Sequence, residues 1–177
     1  SEFSIPQKWN PVEQLTTYLE TLFEANENVG YVTRSWEKNG KYLPSKGLCD
    51  RTAGRLIQEL SKCEGDICKV IGDYSEKAGA WIRINPTDGE GSANKNIIRY
   101  DYALVESDSL SIEDQKKILL ALKLPIACLV ESGGKSIHAI VKVQAVDARE
   151  YAQRVAFLYD ELAKRSFIVD TQNKNCS

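Results

Sequence analysis

From Tyr102 to Val143 the chain reads YALVESDSLSIEDQKKILLALKLPIACLVESGGKSIHAIVKV, and this stretch decides the fold. Its apolar periodicity changes along the way. Tyr102 to Glu106 is a short apolar run ending in an acid, which is strand composition. Ser111 is a helix-capping residue type, and behind it Ile112, Ile118, Leu119 and Leu122 recur at helical spacing until Pro125 stops them. Ile126 to Glu131 is again strand-like, Ser132 to Ser136 holds a Gly-Gly turn, and Ile137 to Val143 alternates as a hairpin partner.

Downstream, Asp147 caps a helix with Tyr151, Ala152, Val155, Leu158, Tyr159 and Leu162 on one stripe, and Phe167 to Asp170 reads as a last strand. The order is β-α-β-β-α-β, the split βαβ or ferredoxin-like unit, with both helices on one face of the sheet. In that topology the first strand lies between the third and fourth and runs antiparallel to both. Upstream, Asn10 and Pro11 open a helix with Val12, Leu15, Tyr18, Leu19, Leu22 and Phe23 on one side. Val29 to Trp36 reads as a strand. A Gly/Lys/Pro turn region follows, then a helix capped by Asp50 and carrying Ala53, Leu56, Ile57 and Leu60. Ala80 to Asn85 alternates and ends at Pro86, and Thr87 to Asn96 is a polar, Gly-rich loop. The fold class is therefore α+β: an N-terminal α/β module over 1–78 packed with an RRM/ferredoxin-like βαββαβ unit over 79–177, together one compact domain.

With 177 residues, 42% hydrophobic and 27% charged, the chain can build a sizeable core and is neither disordered nor collagen-like. No apolar run approaches the roughly 18 residues of a membrane helix, and Ser1-Glu2-Phe3 does not begin a charged-then-apolar secretion signal. No membrane partner is expected. Five cysteines, an odd number with no C-x-x-C pair, fit reduced thiols in the cytoplasm. Cys63 and Cys68 lack a second close pair, so they read as ordinary thiols rather than half a zinc site. A single His excludes a centre built on several imidazoles. The net charge of −2 means that nucleic-acid contact would rest on a local basic surface. The absence of Met fits a fragment of a larger protein.

The chemistry concentrates at strand ends. Glu106 and Asp108 are two apart, so an extended chain projects both to one face. Neighbouring carboxylates repel unless a cation or proton sits between them, and a divalent metal suits oxygen ligands of this kind. The plain alternative is an acidic turn leading into the Ser111 helix. Asp170 ends an apolar run in the same way, and the topology brings it, Ser136 and His138 towards Glu106 and Asp108. His138 faces away from Ile137, Ala139, Val141 and Val143. It follows Gly133-Gly134-Lys135-Ser136, where backbone N–H groups, Lys135 and the Ser136 hydroxyl can gather around a phosphate. G-K-S here is not a Walker A loop: that motif needs Gly at 129, where Leu129 stands, and a helix rather than a strand afterwards. Arg83, Asn94, Lys95 and Arg99 surround the polar loop and can reach a triphosphate or backbone, although each alone reads as solvated surface.

Three stations resemble the archaeo-eukaryotic primase superfamily, in its plasmid, phage and CRISPR-associated primase-polymerase branch. Tyr102 to Asp108 looks like the strand ending in metal-binding acids, with Glu106 at the first acidic position. Ser132 to His138 looks like the Ser-x-His motif that contacts the nucleotide's phosphates. Phe167 to Asp170 looks like the strand carrying the remaining ligand. Gly79 to Pro86 is similar to a stretch preceding the first motif in mobile-element members, and relatives continue past the region of Asn173 to Ser177 into an Arg-rich stretch.

The resemblance implies a DNA primase and polymerase of bacterial or mobile-element origin, acting in the cytoplasm. Glu106, Asp108 and Asp170 would be the catalytic residues and hold two Mg²⁺ or Mn²⁺ ions, while Lys135, Ser136, His138 and Arg83 would bind the nucleotide. Its partners would be single-stranded DNA template and primer, NTP or dNTP, and a helicase domain or replication or CRISPR proteins. A non-catalytic RRM-type nucleic-acid-binding module and a metal-dependent nuclease are the alternatives. The first would place stacking aromatics on the open sheet face, and the centre of Ile137 to Val143 has none.

Overall fold

A computed structural model describes residues 11–32, 35–44, 47–73, 81–132 and 136–169. They divide into two compact units, one up to Ile98 and one from Arg99 onward.

The first unit runs α1 (Pro11–Leu22), β1 (Tyr31–Val32), β2 (Ser35–Lys38), β3 (Lys41–Pro44), α2 (Ala53–Leu60), α3 (Cys68–Ile71) and β4 (Trp81–Ile82). α1 starts at Pro11, whose fixed φ suits a first helical turn, and it buries Leu19 and Leu22 against α2. Where the sequence suggests one strand over Val29 to Trp36, the structure has two short ones. β1 pairs antiparallel with β4, Tyr31 opposite Ile82, while β2 and β3 form a separate hairpin. The hairpin closes between Lys38 and Lys41 on Asn39 and Gly40, at φ 53° and 77°. Both turn residues therefore take the positive φ that a type I′ turn demands. The Asn-Gly pair was the signal for this hairpin, and the periodicity alone passed over it.

α2 is capped by Thr52, not by Asp50: Thr52 Oγ1 accepts the N–H of Arg55 at 3.2 Å. Asp50 is engaged elsewhere, accepting the Tyr31 hydroxyl at 2.8 Å. Ala53, Leu56 and Leu60 complete a core with Phe23, Val29, Tyr31, Ile71 and Ile84. Because β4 pairs with β1, and the Thr87 N–H bonds the Asn28 carbonyl at 3.0 Å, Trp81 to Ile98 packs with the residues before it.

The second unit runs β5 (Tyr100–Val105), α4 (Ile112–Ala121), β6 (Ile126–Ser132), β7 (Ser136–Ala145) and α5 (Ala148–Ala163). Its strands form an antiparallel sheet in the order β5-β7-β6, so the fold is mixed α+β. The caps are those the sequence names. Ser111 Oγ accepts the Asp114 N–H at 3.1 Å, and Asp147 Oδ1 accepts the Glu150 N–H at 2.8 Å. Ala103 and Val105 of β5 and Ile137, Ala139 and Val141 of β7 are buried together, as their alternation requires. α5 packs on β5 and β7, burying Tyr151, Val155, Leu158, Tyr159 and Leu162, and α4 packs on β7.

Two tyrosines tie α5 to the sheet: the Tyr151 hydroxyl donates to the Tyr102 carbonyl and the Tyr159 hydroxyl to the Leu104 carbonyl, each at 2.8 Å. Residues 102 and 104 are two apart, so both carbonyls lie on one edge of β5. Phe167 to Val169, read from sequence as the start of a fourth strand, lie outside the sheet. Their burial still alternates like a strand's, with Phe167 and Val169 at 0% and 7% exposure around Ile168 at 60%. The apolar alternation is thus satisfied by packing without a backbone ladder. Asp170 and Lys135 lie outside the described residues. Among the described residues no helix is long and apolar enough to cross a membrane.

Candidate functional site

β5 ends at Val105, one residue earlier than the sequence suggests, and Glu106 follows it directly. The register sets Leu104 opposite Ile140 and Val105 opposite Ala139, so the next pair along the ladder is Glu106 and His138. Their side chains meet: His138 Nε2 is 3.1 Å from Glu106 Oε1, with both groups half-buried. An ionised carboxylate only accepts hydrogen bonds, so the imidazole presents its Nε2–H to it.

The alternation of β5 carries on past the end of the ladder. Ala103, Val105 and Ser107 are all buried, while Glu106 is half-buried and Asp108 is exposed. Glu106 and Asp108 thus flank the buried Ser107 and are both more open to solvent than it is. Ser107, between them, points inward. Its hydroxyl oxygen faces the N–H groups of Ser109 and Leu110 at 3.4 and 3.3 Å, and its carbonyl accepts from Gln115 Nε2 at 3.2 Å. The same Gln115 amide donates to the Leu110 carbonyl at 2.9 Å.

Gln115 and Ser107 anchor the connection that carries the two acids, and the motif reading overlooked them. A signal existed, because Gln115 occupies a position on the apolar stripe of the Ser111 helix, between Ile112 and Leu119, where a hydrophobic residue belongs.

The remaining candidates are placed as follows. Ser136 opens β7 opposite Ser132, which puts it two residues before His138 on the same strand. Lys135 and Asp170 are outside the described residues. Arg83 belongs to the first unit, where its Nη1 donates to Asn94 Oδ1 at 3.0 Å. Among the described residues no group of three or more His, Cys, Asp or Glu side chains is gathered as a metal site.

The site's chemistry is that of two hard oxygen donors on a short connection, with a half-buried imidazole against one of them. Cys128 lies on the same sheet face as His138, two positions from Val130, which pairs with it. Burial pushes the Cys128 thiol pKa up, which disfavours its thiolate form. Comparison with protein-family models, with curated proteins and with solved structures finds no match to this chain.

Proposed function

We propose that the chain is a template-directed nucleotidyltransferase of the primase-polymerase kind, making and extending primers on single-stranded DNA. The observation that carries this reading is the meeting of Glu106 and His138 at the end of β5. It joins the acid-ending strand and the Ser-x-His strand, which are remote in sequence, into one place. The order β5-β7-β6, with α4 and α5 packed on β7, matches the first three strands of a ferredoxin-like sheet. That order supports an RRM-like reading of the second unit.

The donor set fits Mg²⁺ or Mn²⁺. Glu106 and Asp108 supply carboxylate oxygens, the ligands such hard cations take, and Asp170 is the third carboxylate the resemblance assigns. When bound, a pair of divalent ions would lower the charge on the triphosphate and favour in-line attack by a primer 3′-hydroxyl. The chain's own residues would do the positioning. Glu106 and Asp108 would fix the cations at the rim of the sheet. His138, whose Nε2 lies 3.1 Å from Glu106 Oε1, would give up that contact to donate its Nε2–H to a phosphate oxygen once cations occupy the carboxylate. Ser136 would supply a further donor from the start of β7, and Lys135 and Arg83 are the other nucleotide-binding residues the resemblance implies. Rate enhancement would come from orientation and charge neutralisation rather than from a covalent intermediate.

Incubation with single-stranded template, NTPs or dNTPs and Mn²⁺ tests the reading. New strand supports it, degradation points to a metal-dependent nuclease, and binding without turnover points to an RRM-type module. Asp108→Ala should abolish extension while leaving the fold intact, since Asp108 is exposed. Undiminished extension by the purified variant would sink the assignment.

A further inference from the structure

Resting on the carboxylate site proposed above, we infer that Gln115 is a positioning residue, which holds the Glu106–Asp108 connection in its ligand-presenting shape through Ser107. Gln115 is fully buried on α4, at 0% exposure, and Ser107 is at 1%. The Gln115 amide nitrogen donates to two carbonyls of the acidic loop, Ser107 at 3.2 Å and Leu110 at 2.9 Å. Only the NH₂ end of the amide can serve two carbonyls, so the side chain's orientation is settled by its partners. The consequence is that Oε1 is buried with no hydrogen-bond partner among the described residues.

A buried acceptor left unsatisfied is costly, and an apolar side chain at this stripe position would avoid that cost. What an apolar residue could not do is grip the peptide of Ser107, the residue whose two neighbours carry the carboxylates. Ser107 adds a second restraint, its hydroxyl facing the N–H groups of Ser109 and Leu110. Ser111 then starts α4 with its own cap, so the whole connection from Val105 to α4 is tied down by local polar groups. A carboxylate pair meant to share cations needs this kind of support, because repulsion between the two acids would otherwise spread them.

The test is direct Mn²⁺ binding to the full chain, with free Mn²⁺ read by electron paramagnetic resonance and folding followed by circular dichroism and thermal melting. Wild-type protein should bind Mn²⁺, and Asp108→Asn should abolish or strongly weaken that binding. Gln115→Met, which fills the same volume without donors, should raise the Mn²⁺ dissociation constant by about ten-fold or more while the helical signal is retained. A purely structural glutamine would change the melting temperature and leave Mn²⁺ affinity at the wild-type value, and that result in a folded Gln115→Met overturns the inference. If Gln115→Met fails to fold, Ser107→Ala decides. A several-fold weaker Mn²⁺ affinity supports the clamp, and an unchanged one overturns it. Wild-type binding that is absent, or indifferent to Asp108→Asn, removes the carboxylate site itself and the clamp with it.

Discussion

His138 Nε2 lies 3.1 Å from Glu106 Oε1, across neighbouring antiparallel strands. This contact joins the two parts of the proposed site that are best placed by the fold. It separates a charge effect from a shape effect at Glu106. Glu106→Gln keeps an acceptor oxygen for the imidazole but loses the negative charge, so it should fold normally and fail in primer extension with Mn²⁺. His138→Ala should lower extension by about 10²-fold, the usual loss when one donor to developing phosphate charge is removed. Extension by both variants at the wild-type rate would remove the pair from the mechanism.

The tyrosine bonds from α5 to β5 should carry measurable stability. Tyr159→Phe removes the hydroxyl that serves the Leu104 carbonyl and should cost about 1 kcal/mol by denaturant unfolding. Tyr151→Phe should cost about 1–2 kcal/mol, because the bond it removes is buried. The Tyr151 ring also packs against Tyr100, at 5.6 Å between centroids, and that contact survives the change.

In the first unit Arg51 is the hub of a small charged network. It donates to the Tyr31 hydroxyl and to Glu59, lies over the Tyr31 ring at 5.3 Å, and has Asp50 3.6 Å away. Arg51→Met should therefore destabilise the protein by about 2–3 kcal/mol in equilibrium unfolding, as expected when one partner of a part-buried polar network is lost.

The same network predicts a pH dependence. The Arg51 hydrogen bond holds the Glu59 carboxyl below its usual range. At Asp50, burial pushes the pKa up, but the Tyr31 hydroxyl and the Arg51 charge outweigh it and the net direction is down. A carboxyl with a lower pKa folded than unfolded stabilises the fold above its unfolded value and loses that contribution as the pH falls through its folded value. Stability from this source should be complete above about pH 5 and decline below it. Melting temperatures of Arg51→Met should fall less steeply with acid than those of the wild type, and parallel curves would contradict the account.

The turn that follows α5 holds a strained residue. Ser166 sits at φ 63°, its N–H bonded to the Ala163 carbonyl and that of Phe167 to the Leu162 carbonyl, both at 3.0 Å. These paired reverse bonds form a Schellman end, where glycine is the usual occupant. Ser166→Gly should raise stability by about 0.5–1 kcal/mol, the left-handed penalty of serine less the chain entropy of glycine. A thermal melt reads the sign.

Elements whose determinants are local were legible in the amino-acid sequence. The Ser111 and Asp147 caps each bond an N–H three residues on, and the alternation of Ile137 to Val143 needs only a backbone of period two. The Thr52 cap was misassigned to Asp50 for a tertiary reason: the Asp50 carboxylate accepts from Tyr31, far along the chain, leaving Thr52 to serve Arg55. Phe167 to Val169 shows the complementary failure. Alternating burial is a statement about side chains, and here it is met by packing while the backbone stays outside the ladder.

The sequence by itself determined the α+β class and most helix boundaries of the second unit, because each follows from periodicity or from bonds within a few residues. The topology read from the sequence already brought His138 towards Glu106; only the tertiary structure decided that their side chains meet at 3.1 Å, and that Gln115 reaches from the core of α4 to the peptide between the two acids. The pairing of β5 with β7 sets the first, and the docking of α4 beneath the acidic loop sets the second. Both depend on the long-range register of elements that no local pattern encodes.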